Sequence, residues 1–123
     1  MRTSLNRDGT PIEAAQAPLV RVDALPDGGL AAVEGTVEGE AESLIVHRLG
    51  DSVRAWFNVC PHAGRRLDWA PNQFLLSKDG HLVCAVHGAT FALPEGLCIS
   101  GPCRGDRLRE VPVEVRDGAV YVR

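Results

Sequence analysis

Apolar and polar residues alternate in short runs along most of the chain, and glycine, aspartate and proline separate the runs. From Leu19 onward the runs are rich in β-branched residues, and none keeps the 3.6-residue period of an amphipathic helix. Many short strands at this spacing are typical of an antiparallel sandwich or barrel. We therefore predict an all-β fold, with the weakest strand predictions at about 19–22 and 30–33.

Three β-hairpins are predicted from two-residue turns between such runs. They join segments 44–49 and 52–59 around Gly50-Asp51, 74–78 and 81–84 around Asp79-Gly80, and 111–116 and 119–122 around Asp117-Gly118. The first turn favours type II′ and the second favours type I′. In the first register one face carries Leu44, Val46, Val53, Ala55 and Phe57, with Arg48 as the exception. In the third, Val113 faces Val122 and Val115 faces Val120.

The length of 123 residues and a hydrophobic content of 45% suit one domain with a small core. We expect residues 1–18, which are polar and small, to form a poorly ordered tail and residues 19–123 to form the single domain. Thirteen basic and 16 acidic residues leave no basic excess for nucleic acid. Apolar runs are too short to cross a membrane, and residues 1–18 have no apolar block typical of a signal peptide. The expected location is the cytoplasm.

Two short motifs, Cys60-Pro61-His62 and Cys84-Ala85-Val86-His87, each combine one thiol with one imidazole directly after a predicted strand. Four such groups can hold zinc tetrahedrally, although zinc fingers usually pair two cysteines closely and two histidines closely. The alternative is a [2Fe–2S] cluster with two Cys on one iron and two His on the other. Mixed Cys/His loops that face each other suit the second arrangement.

The motifs C-x-H and C-x-x-H, together with 60–64, 87–91 and Gly101-Pro102-Cys103, resemble those of soluble Rieske ferredoxins and of the Rieske domains of ring-hydroxylating oxygenases. The resemblance covers roughly residues 20–123. It implies a Rieske-like antiparallel β sandwich or barrel whose two loops form a small cluster-binding subdomain at about 58–104. It also implies one [2Fe–2S] cluster per chain, with the inner iron on two thiolates and the outer iron on two imidazoles. The four implied ligands are Cys60, His62, Cys84 and His87.

Two departures from the Rieske pattern are visible. The segment between the two motifs is longer than in most members, and the loop disulfide of the respiratory type is absent. High-potential members resemble one another in a Ser and a Tyr after the second His, where this chain has Ala89 and Phe91. Because hydrogen bonds to the sulfurs raise the potential, the resemblance implies a low-potential protein.

The implied function is a Rieske-type ferredoxin that passes one electron from a reductase to a terminal oxygenase or a similar enzyme. Such a protein is an electron carrier rather than an enzyme, and it binds neither nucleic acid nor membrane. Two alternatives stay open: a small Rieske subunit of a larger reductase, similar to that of nitrite reductases, and a zinc-stabilised β module.

Six other side chains carry weaker hypotheses. We interpret His47 and His81 as solvated strand residues, and Trp56 as a packing residue. Trp69 could shield the cluster from water. Arg65 and Arg66 could form a cationic rim that attracts an acidic redox partner.

Cys98 and Cys103 allow two interpretations. They are packing residues or, less simply, a disulfide or a pair with a role near the cluster.

Overall fold

The computed structural model describes residues 17–61, 64–85 and 88–123, and these residues form twelve β-strands and one 3-10 helix at Val22–Ala24. The strands are β1 (Val20–Arg21), β2 (Leu30–Val37), β3 (Glu40–Leu49), β4 (Ser52–Phe57), β5 (Asp68–Ala70), β6 (Gln73–Leu76), β7 (Leu82–Val83), β8 (Thr90–Ala92), β9 (Leu97–Ser100), β10 (Glu110–Val111), β11 (Val113–Arg116) and β12 (Ala119–Val122). Within these ranges no helix is long and apolar enough to cross a membrane. The prediction of an all-β fold is confirmed.

The strands form three antiparallel sheets. Their orders are β1-β12-β11, β10-β4-β3-β2 and β5-β6-β7-β8-β9. The three-stranded and four-stranded sheets share one apolar cluster, and the five-stranded sheet carries the second cysteine motif. The first cysteine motif lies in the connection from the four-stranded sheet to the five-stranded sheet.

The first and third predicted hairpins are confirmed with their registers. β3 and β4 pair with Leu44 opposite Phe57 and Val46 opposite Ala55. β11 and β12 pair with Val113 opposite Val122 and Val115 opposite Val120. In both hairpins a glycine with positive φ sits in the two-residue turn, where its missing Cβ removes the steric penalty.

The second hairpin exists, but its predicted type I′ turn is wrong. A type I′ turn needs positive φ at both central residues, and only Gly80 of the Asp79-Gly80 pair has it, at +81°. The Gly80 N–H donates to the Ser77 carbonyl at 2.9 Å, and the Ser77 N–H donates to the His81 carbonyl at 2.9 Å. The loop therefore has three residues with glycine last, which is the next commonest way to close a hairpin.

Two strand boundaries differ from the sequence prediction for local reasons. The segment predicted as 111–116 is divided at Pro112, which has no N–H to donate. Val111 pairs with Ala55 of β4, whereas Val113 begins the pairing with β12. The segment predicted at 30–33 extends to Val37, because a turn at Glu38-Gly39 with φ of +51° and +84° joins it to β3.

The central strand β3 is buried on both faces, since separate apolar clusters cover its two sides. Leu44 and Val46 belong to the cluster shared by the three-stranded and four-stranded sheets. Ile45 belongs to the other cluster, which contains Trp56 and all four cysteines. Trp56 is fully buried, as expected of a packing residue.

The prediction that His47 is a solvated residue is wrong. His47 lies on the same face of β3 as Ile45 and is 5% exposed. Burial lowers its pKa, the positive charge of Arg54 lowers it further, and Asp27 opposes these effects. The hairpin register alone could not reveal this, because a second layer of residues covers that face.

The predicted tail, residues 1–18, lies mostly outside the described residues, which begin at residue 17. The division into a tail up to residue 18 and one domain from residue 19 remains a prediction.

Candidate metal centre

The first cysteine motif is held by a tight loop that begins where β4 ends. The Cys60 N–H donates to the Arg65 carbonyl at 2.7 Å, and the Gly64 N–H donates to the Cys60 carbonyl at 2.8 Å. Gly64 has φ of +67°, which a residue with a Cβ adopts only at a cost. Cys60 is 1% exposed. The predicted ligand His62 lies outside the described residues.

The second cysteine motif repeats this geometry at the end of β7. The Cys84 N–H donates to the Ala89 carbonyl at 2.7 Å, and the Gly88 N–H donates to the Cys84 carbonyl at 2.9 Å. Gly88 has φ of +76°. The other predicted ligand, His87, lies outside the described residues as well. In both loops the cysteine at position i is therefore held by the residues at i+4 and i+5.

The two thiols fit the cysteine half of the predicted cluster site. Cys60 and Cys84 are both buried and both belong to one apolar cluster. A thiolate is costly to bury unless a cation compensates its charge, and a metal ion is the partner that such a pair prefers. Among the described residues, no group of three or more Cys, His, Asp or Glu side chains comes together to hold a metal ion. Completion of the site therefore depends on the two histidine positions.

A buried polar network holds the stem of the first loop. The Asp68 side chain is only 1% exposed, and its two oxygens accept hydrogen bonds from Arg66, each at 2.9 Å. Asp68 also accepts from the Asn58 amide at 3.0 Å and from the Asn72 N–H at 3.2 Å. Asn58 in turn accepts from the Leu67 N–H at 2.7 Å. The hydrogen bond from Arg66 is the largest of the effects that lower the pKa of Asp68 to about 2.

Sequence reasoning missed this network. Asn58 and Asp68 stand on either side of the ligand motif and resemble ordinary loop residues. Only their position near the two ends of the loop could have indicated this role, because polar residues that cap backbone groups are common there.

The turn between β9 and β10 packs against the backbone of the second loop. A Cβ on Gly101 would lie 2.8 Å from the Ala89 Cα and 3.2 Å from the Gly88 carbonyl oxygen, so only glycine allows this approach. Ala89 and Phe91 are fully buried beside it. The hydroxyl between them, on Thr90, donates to the Gly88 carbonyl at 3.0 Å.

Cys98 in β9 and Cys103 in the turn that follows are both buried cysteines. The Cys103 Sγ donates to the Cys98 Sγ at 2.9 Å. Burial, together with this contact, raises the pKa of Cys103. The expected packing role is consistent with their burial, and the short distance adds a relation between the two sulfurs that the sequence spacing did not specify.

An open cavity of about 430 Å³ lies between the two loops. It is lined by residues 65–69, which run from the end of the first loop into β5, and by Ala85 of the second loop. Trp69 is 62% exposed there. The two arginines predicted to form a cationic rim are both exposed, but the charge of Arg66 is paired with that of Asp68. The positive charge available to a partner at this place is therefore mainly that of Arg65.

Comparison with known proteins identifies relatives of the whole fold. The family model described as Rieske [2Fe-2S] domain matches residues 16–114. No curated protein matches the chain in sequence.

Among solved structures, the ferredoxin of carbazole 1,9a-dioxygenase from Nocardioides aromaticivorans IC177 has a TM-score of 0.65 and 26% identity, over 88% of this chain and 96% of that chain. A complex of reduced oxygenase and oxidized ferredoxin in carbazole 1,9a-dioxygenase contains a chain with a TM-score of 0.65 and 27% identity, over 88% of this chain and 92% of that one. The terminal oxygenase from the same Nocardioides strain has a TM-score of 0.66 and 26% identity, but only 29% of its length is covered.

Proposed function

This chain belongs to the Rieske [2Fe-2S] domain family, and from that premise we propose that it carries single electrons from a reductase to a terminal oxygenase. The observation that carries the proposal is the pair of cysteine loops with the same hydrogen-bond pattern, on a fold that spans nearly the whole length of a dioxygenase ferredoxin. When bound, the [2Fe–2S] cluster of this family accepts and releases one electron.

The proposed ligands are Cys60 and Cys84 on the inner iron and His62 and His87 on the outer iron. The burial of both cysteines supports the first pair, since two buried thiolates would hold the iron that lies nearer the core. The spacing supports the second pair, because each histidine lies within a loop of five residues closed by backbone hydrogen bonds. The family match favours this cluster over the zinc site that the sequence left open.

The structural comparisons favour a carrier over an enzyme. The chain matches almost all of a ferredoxin but less than a third of a terminal oxygenase. One of the structural neighbours is a ferredoxin in complex with an oxygenase. We infer that this chain docks in the same way onto a terminal oxygenase. The cavity beside Arg65 and Trp69 would lie at the contact, where a positive charge attracts acidic partner residues.

We also infer a low reduction potential. Ala89 and Phe91 offer no hydroxyl, and the one hydroxyl between them, on Thr90, is bonded to a backbone carbonyl. Fewer donors to the sulfurs leave the reduced, more negative cluster less stabilised.

A cytoplasmic location belongs to the same proposal. Its support is the way the chain uses cysteine, since thiols paired with histidines in metal-binding motifs are typical of a reducing compartment.

The cofactor and its ligands are tested by metal analysis and EPR of the reduced protein. We expect two irons per chain and a Rieske-type spectrum, both lost in Cys60→Ser and His87→Ala and retained in the control Lys78→Ala, an exposed residue in the loop between β6 and β7. A colourless protein containing stoichiometric zinc would refute the assignment. Electron delivery is tested by stopped-flow mixing of the reduced protein with a Rieske-type terminal oxygenase, and no reoxidation by the oxygenase would exclude the carrier role.

The low potential is tested by redox titration of Ala89→Ser and Phe91→Tyr. A new donor that favours the reduced state by about 1–3 kcal/mol raises a one-electron potential by about 40–130 mV. Thr90→Val is the matched control, since its hydroxyl points to a carbonyl, and its potential should stay unchanged. A wild-type potential near +300 mV, the upper end of the family range of about −150 to +300 mV, would contradict the inference.

A further inference from the structure

We propose that Cys98 and Cys103 are an oxidation site that closes to an intrachain disulfide in the presence of hydrogen peroxide, and that this bond braces the turn behind the two cysteine loops. Formation of the bond is independent of the proposed electron-carrier function. Its effect on the cluster rests on that function.

The two sulfurs are already placed for bonding. Their distance is 2.9 Å, and a disulfide has a length of about 2.05 Å, so an approach of about 0.9 Å is enough. Rotation of the two side chains can supply a movement of this size. No rearrangement of the sheet is required.

The backbone holds the two residues together whatever the state of the sulfurs. The Cys98 N–H donates to the Asp106 carbonyl at 2.8 Å, and the Gly105 N–H donates to the Cys98 carbonyl at 3.0 Å. The Asp106 N–H donates to the Cys103 carbonyl at 2.8 Å. The turn is therefore closed before oxidation, and the disulfide adds no loop-closure cost.

A disulfide between Cys98 and Cys103 would affect both ligand loops, because the two cysteines lie beside them. Gly101, between the two cysteines, approaches the second ligand loop so closely that a Cβ on it would lie 2.8 Å from the Ala89 Cα. Cys103 shares its apolar cluster with Cys60 of the first ligand loop. A bond across this turn therefore stiffens the wall that supports both loops.

The chemistry needs one molecule of peroxide. One thiol attacks a peroxide oxygen, the O–O bond breaks, and a sulfenic acid and one water form. The second thiol attacks the sulfenic sulfur, the S–O bond breaks, the S–S bond forms, and the hydroxyl leaves with the thiol proton as a second water. The two sulfurs together lose two electrons, which reduce the peroxide to two waters.

Oxidation should be slow. Both thiols are buried, at 1% and 3% exposure, although residues 99–102 of the covering turn are exposed. Peroxide therefore reaches the pair when the turn opens locally, and we expect reaction over minutes to hours rather than the rapid response of an exposed thiolate.

The test treats the purified holoprotein with peroxide, quenches with acid, and alkylates the denatured chain for mass spectrometry. We expect a Cys98–Cys103 disulfide with a mass loss of two hydrogens in the wild type, and no such bond in Cys98→Ser or Cys103→Ser. Recovery of both residues as alkylated thiols, or as separate sulfinic acids, would overturn the oxidation site. Cys98→Ala and Cys103→Ala are second variants, should a serine at either buried position prevent folding.

The bracing effect is read from the visible absorbance of the cluster during heating. We expect the oxidised wild type to lose its cluster on the order of tenfold more slowly than the same sample after dithiothreitol. The serine variants should show no such difference. Equal rates with a confirmed disulfide would refute the bracing role. A chain that forms the disulfide but binds no cluster would refute the proposed function and the bracing role, and would leave the oxidation site standing.

Discussion

Asp68 is the residue whose removal should most clearly loosen the first ligand loop, and the expected cost follows from its pKa. The carboxyl accepts from Arg66, Asn58 and the Asn72 N–H, and its pKa falls from 3.8 to about 2. A shift of this size corresponds to about 2.4 kcal/mol of stability at neutral pH. The Asp68 side chain is 1% exposed, so solvent screens its end of the pair little, although the Arg66 side chain is 52% exposed.

The sign of the pH dependence follows from the depressed pKa. The unfolded chain binds a proton at this carboxyl before the folded chain does, so the contribution is complete above about pH 5 and is lost as the pH falls toward 2. It should still be about 1.3 kcal/mol at pH 3. Asp68→Asn keeps the shape but removes the charge, and the variant should lose about 2–4 kcal/mol at pH 7.

The assay is thermal unfolding of the holoprotein from pH 3 to pH 7, followed by circular dichroism and by cluster absorbance. A loss of about 2.4 kcal/mol lowers Tm by about 8–13 °C in a domain of this size. Cluster absorbance should disappear earlier in the variant, because Arg66 and Asn58 lose the acceptor that ties the loop stem. The difference between wild type and variant should shrink toward low pH.

The exposed pair of Arg54 and Glu110 provides a matched control. It has the same paired geometry, at 2.8 and 2.9 Å, but its side chains are 36% and 46% exposed. Glu110→Gln should therefore cost less than about 1 kcal/mol. If Asp68→Asn and Glu110→Gln cost the same, or if the loss in Asp68→Asn is equal at pH 3 and pH 7, the reasoning from burial is wrong.

Three further predictions concern other parts of the site. Gly101→Ala should cost about 1–3 kcal/mol more stability than Gly105→Ala and should speed cluster loss. The two glycines share a φ near +98°, but only at Gly101 would the new Cβ contact backbone atoms. Equal melting temperatures of the two variants would argue against the close approach. Between pH 7 and pH 5 the wild type should lose stability relative to His47→Phe. Burial lowers the pKa of His47 in the folded state, so the unfolded chain is protonated first as the pH falls. Parallel plots of Tm against pH for the two proteins would contradict this. Arg65→Glu should slow electron transfer to an acidic partner about tenfold at low salt and little at high salt. Lys78→Glu is the control, because it changes the charge by the same amount. An unchanged rate for Arg65→Glu in stopped-flow measurements would remove Arg65 from the docking surface.

The comparison of sequence with structure shows where local signals are sufficient. The Gly50-Asp51 and Asp117-Gly118 turns were predicted with their registers, since turn chemistry and strand alternation involve neighbours in the chain. The Asp79-Gly80 turn was assigned the wrong type, because a three-residue loop and a two-residue loop share the same dipeptide. The two histidine ligands remain predictions of the motif.

By itself the sequence determined the all-β class, the two confirmed hairpin registers and the family, because alternation, turn dipeptides and the Cys/His motifs are encoded in short stretches. Only the tertiary structure decided that His47 is buried, that Asp68 ties the first loop, and that Cys98 and Cys103 touch. Each of these depends on which layer covers a residue or on where a turn folds back. Such relations arise from packing between segments that are distant in the chain or from the path of an irregular turn, and no local pattern specifies them.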